Sequence, residues 1–319
     1  MKILFVYRHN RSFVKKDIEL LSKHYEVKPF FFTFKKIFSL PIQLRQSDIV
    51  FIWFASYHAF ITTLITRLIR RPIIVITGGY DVAGEKEIKY GMMLNPLYKF
   101  MVRYVLKHAK RILAVSEFNK KEIEKNLGIK KAEVIYNSID FKKFYPKGSK
   151  QNMVITVGYI SWENVKRKGL EIFVKAAKYL PETQFVVIGQ ALDNSIKYLQ
   201  SIASSNVKFT GFVSDEQLLS YYQSANVYCQ LSYYESYGMA PAEAMLCECV
   251  PIVVNRGALP EVVGYTGFYV PYGDEKAITE AIKKALQSEL GKKAREKIRK
   301  QFPTELRENK LKKVIERAK

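Results

Sequence analysis

The chain has 319 residues, enough for two domains that each bury a core, and its 48% apolar content fits a globular protein. Three clustered cysteines, Cys229, Cys247 and Cys249, exclude a disulfide framework, and the C-x-C they include lacks a second Cys/His pair at a zinc-like distance. Three buried thiols in a reducing cytoplasm are expected. The net charge is +22 and uneven: residues 1–150 hold 29 Lys and Arg against 12 Asp and Glu, whereas residues 151–319 hold 23 against 18. A uniform lysine bias would load both halves, so the asymmetry points to an anionic partner for the first half, with a solvated lysine-rich surface as the plain alternative.

In chain order, short β-branched runs alternate with amphipathic stretches, and the pattern occurs twice. The first half predicts strands at Lys2–Tyr7, Glu26–Phe32, Ile49–Phe54, Ile73–Thr77, Ile112–Val115 and Glu133–Tyr136. The second predicts Met153–Val157, Gln184–Ile188, Val207–Thr210, Val227–Leu231, Pro251–Val254 and Gly267–Val270. The opening strand is too short to be a signal peptide. Ile49–Thr66 is 18 residues without Asp, Glu, Lys or Arg, but it changes from strand-like to polar to helical, so strand-loop-helix is preferred over a membrane span.

Strands separated by helices imply parallel sheets covered on both faces: an α/β protein of two doubly wound Rossmann-like domains facing across a cleft. The polar stretch Tyr145–Asn152, with Pro146 and Gly148, reads as the linker. The expected division is a first domain over 1–148, a second over 149–300, and a C-terminal helix over 301–319 that could return to the first domain.

The strongest motif follows the strand ending at Leu231. Glu235-Ser236-Tyr237-Gly238-Met239-Ala240-Pro241 leads into a helix containing Glu243. Gly238 allows close approach of a ligand to the backbone, and Pro241 suits a first helical turn. The amides of Gly238, Met239 and Ala240 then point at an anion. Glu235 reaches a sugar's hydroxyls, and Glu243 accepts hydrogen bonds from a ribose diol. The same spacing also suits an exposed loop glutamate and an ordinary helical one.

In its setting, this Glu-x7-Glu segment resembles the retaining glycosyltransferases of family 4, which have the two-domain GT-B fold. Gly211-Phe212-Val213-Ser214 and Ala225-Asn226-Val227 resemble the family's approach to the motif. Pro251-Ile252-Val253 through Gly257 and Glu261 is similar to the segment that follows it. Asn137-Ser138-Ile139-Asp140 and Phe144-Tyr145-Pro146 resemble the family's domain junction. The match spans roughly residues 110–275 in order.

The resemblance implies that Gly158 and the basic run Lys166-Arg167-Lys168-Gly169 hold the donor's diphosphate. Tyr159 stands where the family has a cation, and Arg167 or Lys166 would compensate, since a diphosphate leaving group needs positive charge. Val213 would carry backbone contact to the nucleobase. The implied catalytic residues are Glu235, Lys168 and Asp81, and the implied donor-binding residues are Glu243, Gly238, Met239, Ala240, Arg167, Val213 and Gly158. The donor would be a nucleoside-diphosphate sugar such as a UDP- or GDP-sugar. No cofactor is expected, and with no Asp-x-Asp in the chain the chemistry is expected to be metal-independent.

On the acceptor side the family's "H-G-x-D" stretch is Thr77-Gly78-Gly79-Tyr80-Asp81 here, so Gly78 takes the His position. His58 follows a strand, but a structural histidine is the preferred reading. Arg8 and Arg11 in the first turn would suit an anionic acceptor. Ser116 is either a helix N-cap or part of the family's "V-S-x" element. Phe30–Phe38 interleaves aromatics with lysines, and Lys99, Arg103, Lys107 and Arg111 form a basic stripe read as lying on one helix. Basic residues beside apolar ones suit an acidic membrane. The expectation is therefore a cytoplasmic enzyme, peripheral on the membrane's cytoplasmic face, acting on a glycan or lipid-linked acceptor. No recognised nucleic-acid motif accompanies the charge. A sugar-nucleotide epimerase and a non-catalytic sugar-nucleotide-binding protein of the same fold are the alternatives.

Overall fold

The structure, a computed structural model, describes residues 1–318. Met1–Ser138 and the chain from Thr304 onward form one compact unit, and Ile139–Pro303 forms the other. The first contains β1 (Lys2–Tyr7), α1 (Ser12–Ser22), β2 (Glu26–Phe31), α2 (Leu40–Arg45), β3 (Ile49–Trp53), α3 (Tyr57–Ile69), β4 (Ile73–Thr77), α4 (Pro96–His108), β5 (Arg111–Ala114), α5 (Glu117–Leu127) and β6 (Ala132–Val134). The second begins with β7 (Gln151–Val157), α6 (Trp162–Arg167), α7 (Leu170–Ala176), β8 (Gln184–Ile188), α8 (Ser195–Ser201), β9 (Val207–Phe209) and α9 (Asp215–Ser224). It continues with β10 (Ala225–Gln230), α10 (Met239–Leu246), β11 (Val250–Val254), α11 (Leu259–Val263), β12 (Phe268–Val270), α12 (Glu275–Leu286) and α13 (Leu290–Gln301), while α14 (Thr304–Glu316) returns to the first unit.

Each unit holds a six-stranded parallel sheet, ordered β2-β1-β3-β4-β5-β6 in the first and β12-β11-β10-β7-β8-β9 in the second. The central strands β3, β4 and β11 are buried at every position, which is why they read as continuous Ile/Val runs rather than alternating ones. Register is fixed by pairs such as Ile3 with Val27 on one side and Ile49 on the other.

Two sequence expectations change. The stretch 145–152 is no free linker: the units divide at Ser138 and Ile139. Phe144 is buried against the Tyr222 ring, and the Lys150 ammonium donates to the carbonyls of Tyr222 (3.0 Å) and Cys247 (2.6 Å). Gly148 bends the chain at a φ of +70°, but the side chains flanking the bend are anchored in the second unit. The basic stripe also ends sooner, because α4 stops at His108 and Ala109 turns extended. Lys99, Arg103 and Lys107 stay on the helix, whereas Arg111 opens β5 and pairs with Glu133 at 3.2 Å.

The returning helix α14 is held by a buried ion pair. Arg307, 3% exposed, donates from Nε and Nη2 to Asp17 at 2.6 and 2.7 Å, and from Nη1 to the carbonyls of Ile135 and Tyr136. Asp17 also accepts from the Trp53 indole at 2.9 Å, so one carboxylate joins α1, β3 and α14. Removing one partner leaves a buried charge uncompensated. Asp17→Ala is expected to destabilise the first unit by about 3–5 kcal/mol, read from the denaturant midpoint of its unfolding transition.

Candidate donor site

In the second unit the winding direction reverses between β7 and β10, the place where ligands bind in open α/β sheets. Gly158 follows β7, and the segment to Glu235 follows β10. The short helix α6, capped by Ser161 at the Asn164 amide, delivers Arg167 and Lys168 to the same place.

Lys168 lies across Gly158. A Cβ on residue 158 would stand 2.6 Å from Lys168 Cδ, so only glycine leaves room for this side chain. The ammonium donates to the Val157 carbonyl at 3.3 Å. Burial lowers its pKa, Glu235 opposes that shift, and Arg167 adds to it. Arg167 turns toward α6, donating to Asn164 Oδ1 at 2.6 Å, with Glu163 3.6 Å away.

Glu235 is half-buried. Its carbonyl accepts from the Ala258 amide at 2.9 Å, an approach that depends on Gly257, whose φ is +62° and where a Cβ would lie 2.5 Å from Glu235 O. Its carboxylate meets the end of a polar chain: Tyr228 Oη donates to Gln230 Oε1 (2.7 Å), and Gln230 Nε2 donates to Ser232 Oγ (2.7 Å) and to Glu235 Oε2 (3.5 Å).

Helix α10 begins at Met239 with Gly238 as N-cap, so the amides of Met239 and Ala240 occupy the first turn, where no preceding helical carbonyl accepts them. Glu243 sits one turn further in. Tyr222 Oη donates to Glu243 Oε2 at 3.1 Å, and burial nevertheless raises the Glu243 pKa to about 7. The Tyr228 phenol feels both carboxylates. The structure therefore places Gly158, Arg167, Lys168, Glu235, Gly238, Met239, Ala240 and Glu243 on the segments that follow β7 and β10. Val213 lies half-buried in the turn between β9 and the Ser214-capped α9.

Tyr222, Tyr228 and Gln230 were missed by sequence reasoning. A glutamine inside a strand buried throughout its second half was the available signal, since a buried amide needs partners.

In the first unit, Asp81 is 1% exposed, and its carboxylate accepts from the amides of Ala55 (2.9 Å), Gly78 (3.1 Å) and Gly79 (2.9 Å). These bonds fasten the loops after β3 and β4, with Asp81, the expected catalytic residue of this unit, at their junction. His58 is fully buried between Ser56 Oγ and the Trp53 carbonyl, with its pKa lowered to about 4 by burial, the structural role preferred from sequence. Ser116 caps α5 through the Asn119 amide.

The reason for Gly78 is now visible. Phe54 adopts φ +68°, an outlier for a bulky residue, and its ring fills the place of a side chain at 78, where a Cβ would lie 1.9 Å from Phe54 Cε1. This occurs at the first unit's own reversal point, between β1 and β3, with His9 edge-on to the ring at 5.8 Å.

Among the described residues, no group of three or more His, Cys, Asp or Glu is placed to hold a metal ion.

Doubly wound units with a lysine and two carboxylates at a strand-order reversal define a nucleotide-binding α/β class. Residues 137–303 match the family described as glycosyl transferases group 1, and residues 9–143 match glycosyltransferase family 4. The chain belongs to the group 1 glycosyltransferase family. It is 30% identical over 279 residues to a capsular polysaccharide biosynthesis glycosyltransferase of Staphylococcus aureus, covering 77% of this chain and 70% of that protein. It is 29% identical over 193 residues to an O-antigen chain mannosyltransferase of Salmonella typhimurium, covering 58% of this chain and 54% of the relative. Against Anabaena HepE, solved with UDP and glucose, the TM-score is 0.84 at 16% identity, with 99% of each chain covered. The fold is thus GT-B, as the sequence implied.

Gly158→Ala is expected to push Lys168 off its seat and weaken nucleotide-sugar binding while leaving the unfolding midpoint of the second unit within about 1 kcal/mol of wild type, measured by calorimetric titration and denaturant unfolding.

Proposed function

We propose that the chain transfers a sugar from a nucleoside-diphosphate sugar, such as a UDP- or GDP-sugar, to an acceptor hydroxyl with the anomeric configuration kept. The bond between the anomeric carbon and the diphosphate oxygen breaks, the acceptor oxygen takes its place on that carbon, and the acceptor's proton leaves with the nucleoside diphosphate or to solvent. The observation that carries this reading is the convergence of Lys168 and Glu235 at the β7/β10 reversal. Lys168, aided by Arg167 and the first-turn amides of α10, stabilises the charge that builds on the departing diphosphate. Glu235 orients the sugar's hydroxyls, and Glu243 holds the ribose diol. These roles need no metal. The acceptor is a glycan or a lipid-linked one, and the enzyme works peripherally on the cytoplasmic face of an anionic membrane.

A panel of nucleotide sugars, read by thermal shift and by release of nucleoside diphosphate, tests the proposal. Stabilisation with release in the presence of an acceptor extract is expected, and no response to any nucleotide sugar would sink it. Glu243→Ala should weaken nucleotide affinity at least about tenfold, whereas Glu235→Ala should mainly lower kcat.

The pH dependence follows from Glu243. With a pKa of about 7, its carboxyl is half protonated near neutrality, and two donating ribose hydroxyls favour the ionised form, whose two oxygens both accept freely. Binding therefore releases a proton, and affinity rises by about tenfold between roughly pH 6 and pH 8. Titration calorimetry in buffers of different ionisation enthalpy measures the released proton, and Glu243→Gln should flatten the profile.

A further inference from the structure

The outer layer of the first unit leaves apolar side chains exposed. On α3 the inward face is mixed: His58, Thr62, Thr63 and Thr66 are fully buried beside Ala59, while Phe60, Ile61, Ile65 and Ile69 pack against the core. The threonines are satisfied within the helix, Thr62 donating to the His58 carbonyl and Thr63 to that of Ala59, both at 2.7 Å, and Thr66 to that of Thr62 at 2.8 Å. The outward face instead presents Leu64, 42% exposed, and Leu68, 85% exposed. A surface helix of a protein surrounded by water turns polar residues outward. This one adds two leucines to its outward face.

The neighbouring elements do the same. The 3₁₀ turn Phe34–Ser39 packs on α2, α2 on α3, and α3 on α4, so their outer sides form one layer. Phe38 is 88% exposed, Ile42 56%, Leu97 60% and Phe100 59%. Around them stand exposed cations, Lys35, Lys36, Arg67, Arg70, Lys99 and Arg103. None of the four elements contains an aspartate or glutamate. Charge repulsion within such a layer is relieved only by water, salt or an anionic surface.

We propose that the outward face of the turn Phe34–Ser39, α2, α3 and α4 docks the protein on an anionic lipid bilayer. Apolar side chains ringed by cations without any anions match the acyl boundary and the phosphate layer together, whereas an acidic peptide would use the cations and leave exposed leucines and phenylalanines unmatched. Among the described residues no helix is long and apolar enough to cross a membrane, so the contact is with the surface. The inference deepens the peripheral-membrane part of the proposed function and rests on it for its biological purpose. The binding itself is independent of any transfer reaction.

The full chain is sedimented with vesicles of phosphatidylcholine alone and of phosphatidylcholine mixed with phosphatidylglycerol, neither carrying an acceptor. Binding to the mixed vesicles only is expected, weakening as salt is raised. The triple variant F38S/L68S/F100S should lose at least about tenfold in vesicle affinity with its unfolding midpoint and nucleotide-sugar binding unchanged. K99E/R103E should lose binding to a comparable degree. No binding to anionic vesicles at low salt would overturn the proposal. So would vesicle binding that survives the triple variant, or light scattering that shows wild type to be a dimer and the triple variant a monomer. Because nucleotide-sugar response is measured separately, a failed vesicle result leaves the transferase proposal standing, and a failed nucleotide-sugar result leaves the docking face standing.

Discussion

The second unit is organised by one electrostatic requirement, that a lysine ammonium be held partly out of water at a strand-order reversal. Desolvation alone would push Lys168 toward its neutral form, and the carboxylate of Glu235 opposes it. Everything nearby serves that balance. Gly158 yields the volume the side chain lies across, Gly257 lets the backbone of Glu235 come close, and the short helix α6 places Lys168 one residue beyond its last turn. A cation kept this way gains more from a diphosphate than one in bulk water, because the surrounding dielectric screens it less.

The carboxylates are tuned in different ways. Glu235 is reached by an amide whose other end is fixed by Tyr228, so its orientation is set from below by hydrogen bonds. Glu243 has one phenol donor from Tyr222, and that single bond does not offset burial, which lifts its pKa to about 7. Two further hydroxyl donors are what an ionised Glu243 lacks, and a ribose diol supplies that number. The contrast leaves Glu235 with a fixed orientation and Glu243 with room for further donors.

Much of the fold was legible because its signals are local. Buried parallel strands announce themselves as runs such as Ile73–Thr77, and all twelve predicted strands are present, with edges moved by one or two residues. The donor crevice was legible for another reason: Glu235 to Glu243 and Lys168-Gly169 are contiguous motifs in a recognisable order. What could not be read depends on distant residues meeting. Phe54 occupying the space of a side chain at 78 joins two loops, and neither segment alone signals it. The end of α4 was misplaced because Lys107-His108-Ala109-Lys110 contains no breaker. Helical spacing continues through Arg111, but strand pairing with Ile74 and an ion pair with Glu133 claim that residue.

The two reversal points differ in chemistry, and the difference follows from what each strand end can hold. Beside β7 and β10 the loops and helix ends carry a lysine, an arginine and two carboxylates. Between β1 and β3 the loops present the ring of Phe54 with His9 against it, and burial together with Arg11 and Arg8 lowers the His9 pKa. The carboxylate there, Asp81, accepts from three backbone amides. A strained phenylalanine is kept in place only where surrounding structure over-determines it, and the Asp81 bonds to Ala55, Gly78 and Gly79 are that structure. The first unit thus offers an apolar ring and an imidazole backed by arginines, whereas the second offers a lysine, an arginine and two carboxylates.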